Sequence, residues 1–269
     1  SAAYAGVAST SASWHRNPDG TWTVTAGAHG TDTVTRVETL GFSDRTVHLD
    51  ATQQSFSGDG TSDLLLRHSS GALVAWFVNG ASITGGGLGT ISAQWTPFTG
   101  DLDQDGYSEI LWRNTTTGDM SIWFMNGAAV SASPFVNVAA NWVIEGLGDF
   151  NGDARDDIMW RNSSTGDMSI WFMNGASIQS ASGLGNVGSP WVVEGMGDFN
   201  GDGRDDILWR NSSTGAMSMW LMDGAAVTGA AFATVGSPWV LEGIGEFNGD
   251  GLHEVLEAAW EPARGAYVP

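Results

Sequence analysis

Carboxylates and amides recur in this 269-residue chain at a spacing that suits a hard cation. The run Asp149-Phe-Asn-Gly-Asp-Ala-Arg-Asp-Asp157 returns as Asp198-Phe-Asn-Gly-Asp-Gly-Arg-Asp-Asp206. Looser copies are Asp101-Leu-Asp-Gln-Asp-Gly-Tyr-Ser-Glu109 and Glu246-Phe-Asn-Gly-Asp-Gly-Leu-His-Glu254. Each carries an oxygen-bearing side chain at positions 1, 3 and 5 and a carboxylate at position 9. Ca²⁺ takes about six to eight oxygens, and alternate residues of a tight loop can point inward to supply them. A backbone carbonyl at position 7 adds another. Glycine at position 6 permits the sharp turn, and Ala154 in that place implies some backbone strain. The competing reading is an Asp/Asn/Gly turn held by its own hydrogen bonds. Clustered acids repel one another, and water compensates that poorly. Repetition at constant spacing therefore favours the cation. A decayed copy, Ser55-Phe-Ser-Gly-Asp-Gly-Thr-Ser-Asp63, has Ser at positions 1 and 3 and is expected to lack the ion. The loops share only the first half of an EF-hand pattern, because a strand follows where a helix would stand.

The elements that must hold these loops repeat with them. The five copies start at residues 55, 101, 149, 198 and 246, a period of about 48 residues. Each full loop but the last leads into Ile110-Leu-Trp-Arg-Asn114, Ile158-Met-Trp-Arg-Asn162 or Ile207-Leu-Trp-Arg-Asn211. A Ser/Thr turn ending in Gly118, Gly166 or Gly215 follows, then Met120–Gly127, Met168–Gly175 or Met217–Gly224. Closing segments begin at Trp142, Trp191 and Trp239. These runs are short, rich in β-branched and aromatic residues, and bounded by Gly, Asn and Ser, which reads as strands. Between Met120 and Met125 both alternating faces are apolar: Met120, Ile122 and Phe124 on one, Trp123 and Met125 on the other. A sheet buried on both faces fits radially stacked blades, whereas a sandwich would alternate with polar residues. The expected fold is all-β, a β-propeller of four-stranded blades, five or six in number. Residues 1–52 are expected to form a β-rich leader or degenerate blade, and residues 53–269 the repeats.

The loop entering a strand resembles the FG-GAP/VCBS repeats of integrin-like β-propellers, over about residues 53–257. That resemblance implies about four Ca²⁺ per chain on blade edges. The implied ligands are Asp101, Asp103, Asp105 and Glu109; Asp149, Asn151, Asp153 and Asp157; Asp198, Asn200, Asp202 and Asp206; and Glu246, Asn248, Asp250 and Glu254. Glu246 departs from the usual Asp. The segment from Gly30 to Asp50 is similar to stretches bordering RTX calcium repeats in proteins exported by type I secretion. It implies a secreted bacterial protein, extracellular or at the cell surface.

Composition narrows the role. Asp and Glu number 30, the ten basic residues are all Arg, and the net charge is −20. Nucleic acid and anionic membranes need clustered positive charge, so neither is an expected partner. The absence of cysteine excludes a disulfide scaffold, a Cys zinc site and thiol catalysis. No run approaches the roughly 18–20 apolar residues that span a bilayer, so membrane insertion is not expected. The chain opens at Ser1 and is expected to be a piece of something longer. His15, His29, His48, His68 and His253 share no catalytic spacing, and no enzyme is expected.

One further set repeats: Trp112, Arg113, Asn114; Trp160, Arg161, Asn162; and Trp209, Arg210, Asn211. Packing, inter-blade hydrogen bonds and turns account for them. A sugar site repeated once per blade also would, since sugars stack on aromatics and need planar donors and acceptors. Glu145, Glu194 and Glu242 are expected to brace neighbouring blades. The expected function is binding: a lectin-like or adhesive module for glycans or cell-surface polysaccharide, with protein partners possible. The alternatives are a catalytic or accessory part of a polysaccharide-degrading enzyme, or a structural surface or matrix protein that binds other proteins.

Overall fold

The computed structural model describes residues 54–234 without a break, and 2–4, 6–7, 12–16, 22–26, 30–34, 39–41, 46–48, 239–245, 253–261 and 266–268 on either side. The described residues are all-β. They contain no helix long and apolar enough to cross a membrane. Six short strands come first: β1 (Ala2–Ala3), β2 (Ala12–Arg16), β3 (Trp22–Ala26), β4 (Thr31–Val34), β5 (Thr39–Gly41) and β6 (Thr46–His48). They pair as two three-stranded sheets, β2-β3-β4 and β1-β5-β6.

Five sheets then follow in chain order. The first holds β7 (Leu64–Arg67), β8 (Ala72–Asn79) and β9 (Ser82–Thr90). The second holds β10 (Trp95–Gly100), β11 (Glu109–Asn114), β12 (Met120–Asn126) and β13 (Ala129–Pro134). The third holds β14 (Trp142–Gly148), β15 (Asp157–Asn162), β16 (Asp167–Asn174) and β17 (Ser177–Asn186). The fourth holds β18 (Trp191–Gly197), β19 (Asp206–Asn211), β20 (Ala216–Asp223) and β21 (Ala226–Thr234). The fifth holds β22 (Trp239–Gly245), β23 (Glu254–Glu261) and β24 (Ala266–Val268). All are antiparallel meanders, and their leading strands β10, β14, β18 and β22 neighbour one another in series. This is a propeller-like arrangement.

Its core lies between sheets. On β11, Ile110 and Trp112 turn toward the first sheet and pack with Met125 against Phe56, Leu73 and Ala75. Leu111, on the opposite face, joins Met120 and Ile122 against Ile144, Ile158, Trp160 and Met173 of the third sheet. The pattern repeats one boundary later, where Met159, Met168 and Ile170 meet Ile207, Trp209 and Met222. In the second, third and fourth sheets a buried indole meets a diagonal indole of the adjacent strand at a tilt: Trp112 with Trp123, Trp160 with Trp171, and Trp209 with Trp220, centroids 5.3, 5.0 and 5.2 Å apart. Tilted pairs add to area burial because ring edges are positive and faces negative.

The first sheet differs on one face. Leu64, Leu66 and Trp76 hold the places of Ile110, Trp112 and Trp123, yet they are 45, 37 and 41% exposed.

Glu145, Glu194 and Glu242 fall where β14, β18 and β22 slip register against the next strand. Glu145 Oε1 lies 3.9 Å from Arg161 Nη1. That partner belongs to the same sheet, so Glu145 braces its own blade and not a neighbour.

Candidate metal centre

Each acidic loop joins the first strand of a sheet to the second, and one hydrogen-bond scheme shapes the three that are described. The residue at position 1 is the hub. Asp101 Oδ1 accepts from Gln104 N at 2.6 Å and Asp105 N at 3.2 Å, and its Oδ2 accepts from Gly106 N at 3.0 Å. Asp149 accepts likewise from Gly152 N, Asp153 N and Ala154 N, and Asp198 from Gly201 N, Asp202 N and Gly203 N. Position 3 accepts from the backbone of position 5, by Asp103, Asn151 and Asn200 at 3.1, 2.9 and 2.8 Å. Position 5 accepts from position 7, by Asp105, Asp153 and Asp202 at 2.9, 3.0 and 3.0 Å. Every one of these side chains therefore turns into its own loop.

The tight path takes two left-handed residues. Position 6 is left-handed as expected, at Gly106, Ala154 and Gly203, with φ of 84, 63 and 81°. Position 4 is left-handed too, at Gln104, Gly152 and Gly201, with φ of 63, 78 and 79°. Gln104 and Ala154 thus carry a Cβ where glycine is at ease.

The carboxylate at position 9 closes the loop. Glu109 Oε2 accepts from Leu102 N at 2.7 Å, Asp157 Oδ1 from Met173 N at 2.9 Å, and Asp206 from Met222 N and Phe199 N at 2.9 and 3.2 Å. The second oxygens, Glu109 Oε1 and Asp157 Oδ2, are buried and have no hydrogen-bond partner. Carboxylate oxygens of Asp101, Asp103 and Glu109 all lie within 4.8 Å of one another. Burial, with neighbouring carboxylates adding to it, pushes Asp101 up to about 7 and Glu109 to about 11. The same causes carry Asp149 to about 7 and Asp157 to about 8, and burial above all lifts Asp206 to about 7. A buried, crowded carboxylate with an orphaned oxygen fits a cation, which supplies both counter-charge and partner. Of the fourth loop, Glu246, Asn248 and Asp250 lie outside the described residues, as does the side chain of Glu254.

Position 8 was not singled out by sequence reasoning, although it is tightly placed. Asp156 Oδ2 accepts from Asp101 N at 2.8 Å, and Asp156 N donates to Asp101 O at 2.7 Å. Asp205 makes the same two bonds to Asp149, at 3.0 and 2.7 Å. Ser108 does so with Ser55, at 3.0 and 2.9 Å, and His253 N donates to Asp198 O at 2.9 Å. Each pairing crosses from one sheet to the next. The residue before each loop must be small. A Cβ on Gly100 would overlap Asp156 Oδ2, one on Gly148 would lie 2.6 Å from Asp205 Oδ2, and one on Gly197 2.7 Å from His253 Cγ. The available clue was a polar residue at position 8 and a glycine before position 1 in every full copy.

The Trp, Arg and Asn set proves to be architecture. Trp112, Trp160 and Trp209 are 0, 1 and 1% exposed, and their indole N–H groups are buried. Arg113 donates to the carbonyls of Gly118, Val138, Ala139 and Trp142, and its guanidinium sits 5.4 Å from the Trp160 ring of the next sheet. Arg161 donates to Val187 O and Trp191 O and lies 5.9 Å from the Trp209 ring. Arg210 holds the equivalent place on β19. Asn114, Asn162 and Asn211 each use Oδ1 to accept two backbone N–H groups of the following turn. The buried indoles present no exposed face for a sugar to stack on, which favours the packing reading of this set over the sugar site.

Comparison with known proteins bears on this same region. No curated protein matches the chain in sequence. Residues 149–209, which contain two of the acidic loops and strands β15 to β18 between them, match the FG-GAP-like repeat family.

Proposed function

We propose that this chain is a non-catalytic, calcium-stabilised binding module of adhesive type that works outside the bacterial cell. The observation that carries the calcium reading is the pair of buried, partnerless oxygens, Glu109 Oε1 and Asp157 Oδ2, the first of them in a residue whose carboxylate converges with those of Asp101 and Asp103. Ca²⁺ when bound supplies positive charge and oxygen coordination there. Asp101, Asp103, Asp105 and Glu109 would hold one ion, Asp149, Asn151, Asp153 and Asp157 a second, and Asp198, Asn200, Asp202 and Asp206 a third. Glu246, Asn248, Asp250 and Glu254 would hold a fourth. The FG-GAP-like repeat supports the adhesive role.

The proposed partner is a surface glycan, met by exposed side chains and not by the buried tryptophans. Trp76, 41% exposed, offers a ring face of the kind that sugars stack on. A glycan array probed in millimolar calcium tests the partner. One sugar class bound by the native chain and lost with Trp76→Ala is the expected result. A blank array at high protein concentration overturns the glycan reading. Elemental analysis of dialysed protein is expected to find about one calcium per acidic loop, and protein free of calcium overturns the metal reading.

A further inference from the structure

Asp156 and Asp205 play no part in the ligand sets above, yet both are half-buried and each bonds the hub residue of another loop. The hub at position 1 does two jobs. Its carboxylate gathers the loop's own N–H groups, and it belongs to the proposed ligand set. Its backbone N–H and C=O are both engaged by the position-8 residue of the following blade. A second strand of contact crosses the same boundary. The carbonyl at position 2 accepts from the hairpin glycine of that blade: Leu102 O from Gly175 N at 2.7 Å, and Phe150 O from Gly224 N at 2.8 Å.

We propose that Asp156 and Asp205 are positioning residues that set the cation loop of the preceding blade, Asp156 the loop at 101–109 and Asp205 the loop at 149–157. This rests on the calcium reading. The role belongs to the acceptor and not to the negative charge, because Ser108 makes the same two bonds to Ser55 with a neutral hydroxyl. The support runs one way along the chain: each loop is held by the blade after it. Groups that orient a metal's ligands commonly change affinity about 10- to 100-fold when removed.

The test is a calcium titration of the full ¹⁵N-labelled chain, stripped of metal and followed at the amides of Gly106, Ala154 and Gly203, one per loop. Asp156→Ala is expected to raise the Gly106 midpoint by about tenfold while the Gly203 midpoint stays within about twofold. Asp156→Asn, which keeps an acceptor and loses the charge, is expected to stay within about threefold of the native chain. Gly100→Ala leaves the carboxylate in the chain but displaces it, since a Cβ there overlaps Asp156 Oδ2. It is expected to act like Asp156→Ala, and it decides the matter should Asp156→Ala fail to fold. An unmoved Gly106 midpoint in folded Asp156→Ala or Gly100→Ala overturns the proposal and leaves the calcium reading standing. Equal losses in Asp156→Asn and Asp156→Ala also overturn it, by assigning the effect to charge. Amides of the native chain that ignore calcium overturn the calcium reading itself, and the proposal with it.

Discussion

The loop at 55–63 and the loop at 101–109 follow the same path with different chemistry. Gly58 and Gly60 are left-handed at positions 4 and 6, with φ of 69 and 78°. Ser55 Oγ accepts from Gly60 N at 3.3 Å, the bond that Asp101 Oδ2 accepts from Gly106 N at 3.0 Å. At position 9 the two part. Asp63 uses both oxygens, accepting from Ser57 N at 2.8 Å and Val78 N at 3.0 Å, whereas Glu109 leaves Oε1 without a partner. At position 5, burial pulls Asp59 up, but hydrogen bonds from Thr61, Ser57 and Asn79 outweigh it and hold its carboxyl below the usual range. The turn therefore closes with the Ser55 hydroxyl at position 1 and with its acids satisfied. The extra carboxylates of the other loops are not needed for the turn, and they carry an unmet demand for positive charge.

The widest break between the two kinds of loop should come from removing metal. A ligand that binds only the native state stabilises it by about 2.7 kcal/mol at a hundred times its dissociation constant. Several loops acting together should shift melting by about 10–20 °C in a chain of this size. We expect EDTA to lower the melting temperature by that amount, read by calorimetry on stripped and reloaded protein. Equal melting in both states would sink the calcium reading and leave all the loops as ordinary turns.

Much of this was legible beforehand, and the limits have physical causes. Period-2 alternation with apolar residues on both faces pointed to sheets stacked on sheets, and Ile110, Leu111 and Trp112 do split between two neighbours. Positions 1, 3 and 5 were readable as turn positions because each side chain answers to its own loop. Position 8 was not, because its partner lies on another blade and spacing along the chain does not record that contact. The left-handed turn at Gln104 was hidden because glycine, its usual marker, is missing there. The tryptophans left two readings open for a different reason. An indole beside an arginine can stack a sugar or close a blade boundary, and only burial tells these apart.

A smaller effect should appear with pH, and its sign differs with and without metal. Asp101, Asp149 and Asp206 are raised from 3.8 to about 7 in the native state, and Asp157 to about 8, all with burial as the leading cause. Between pH 4 and these values the native state binds more protons than the unfolded chain, so stability falls as pH rises through that window. Metal-free protein should thus melt several degrees higher at about pH 5 than at about pH 8. Saturating calcium replaces the protons and competes with them, so the loaded protein should lose that preference for acid. A metal-free melting temperature that climbs between pH 5 and 8 would show that these carboxylates are not held raised.

The narrowest contrast sets two position-5 aspartates against each other. Asp202 accepts from Arg204 N and pairs with its guanidinium at 3.5 Å, inside a loop of the acidic kind. Asp59 accepts from Thr61 N at 2.9 Å and from Asn79 Nδ2 at 3.2 Å, inside the serine-bearing loop. Asp202→Ala should cost about one bound calcium per chain by elemental analysis, together with the part of the chelation effect that belongs to one loop. Asp59→Ala should leave the calcium count unchanged and cost only its turn hydrogen bonds, about 0.5–1.5 kcal/mol. If Asp59→Ala also removes an ion, the serine loop binds metal with fewer carboxylates than its neighbours use. The division between the two kinds of loop would then be one of affinity and not of kind.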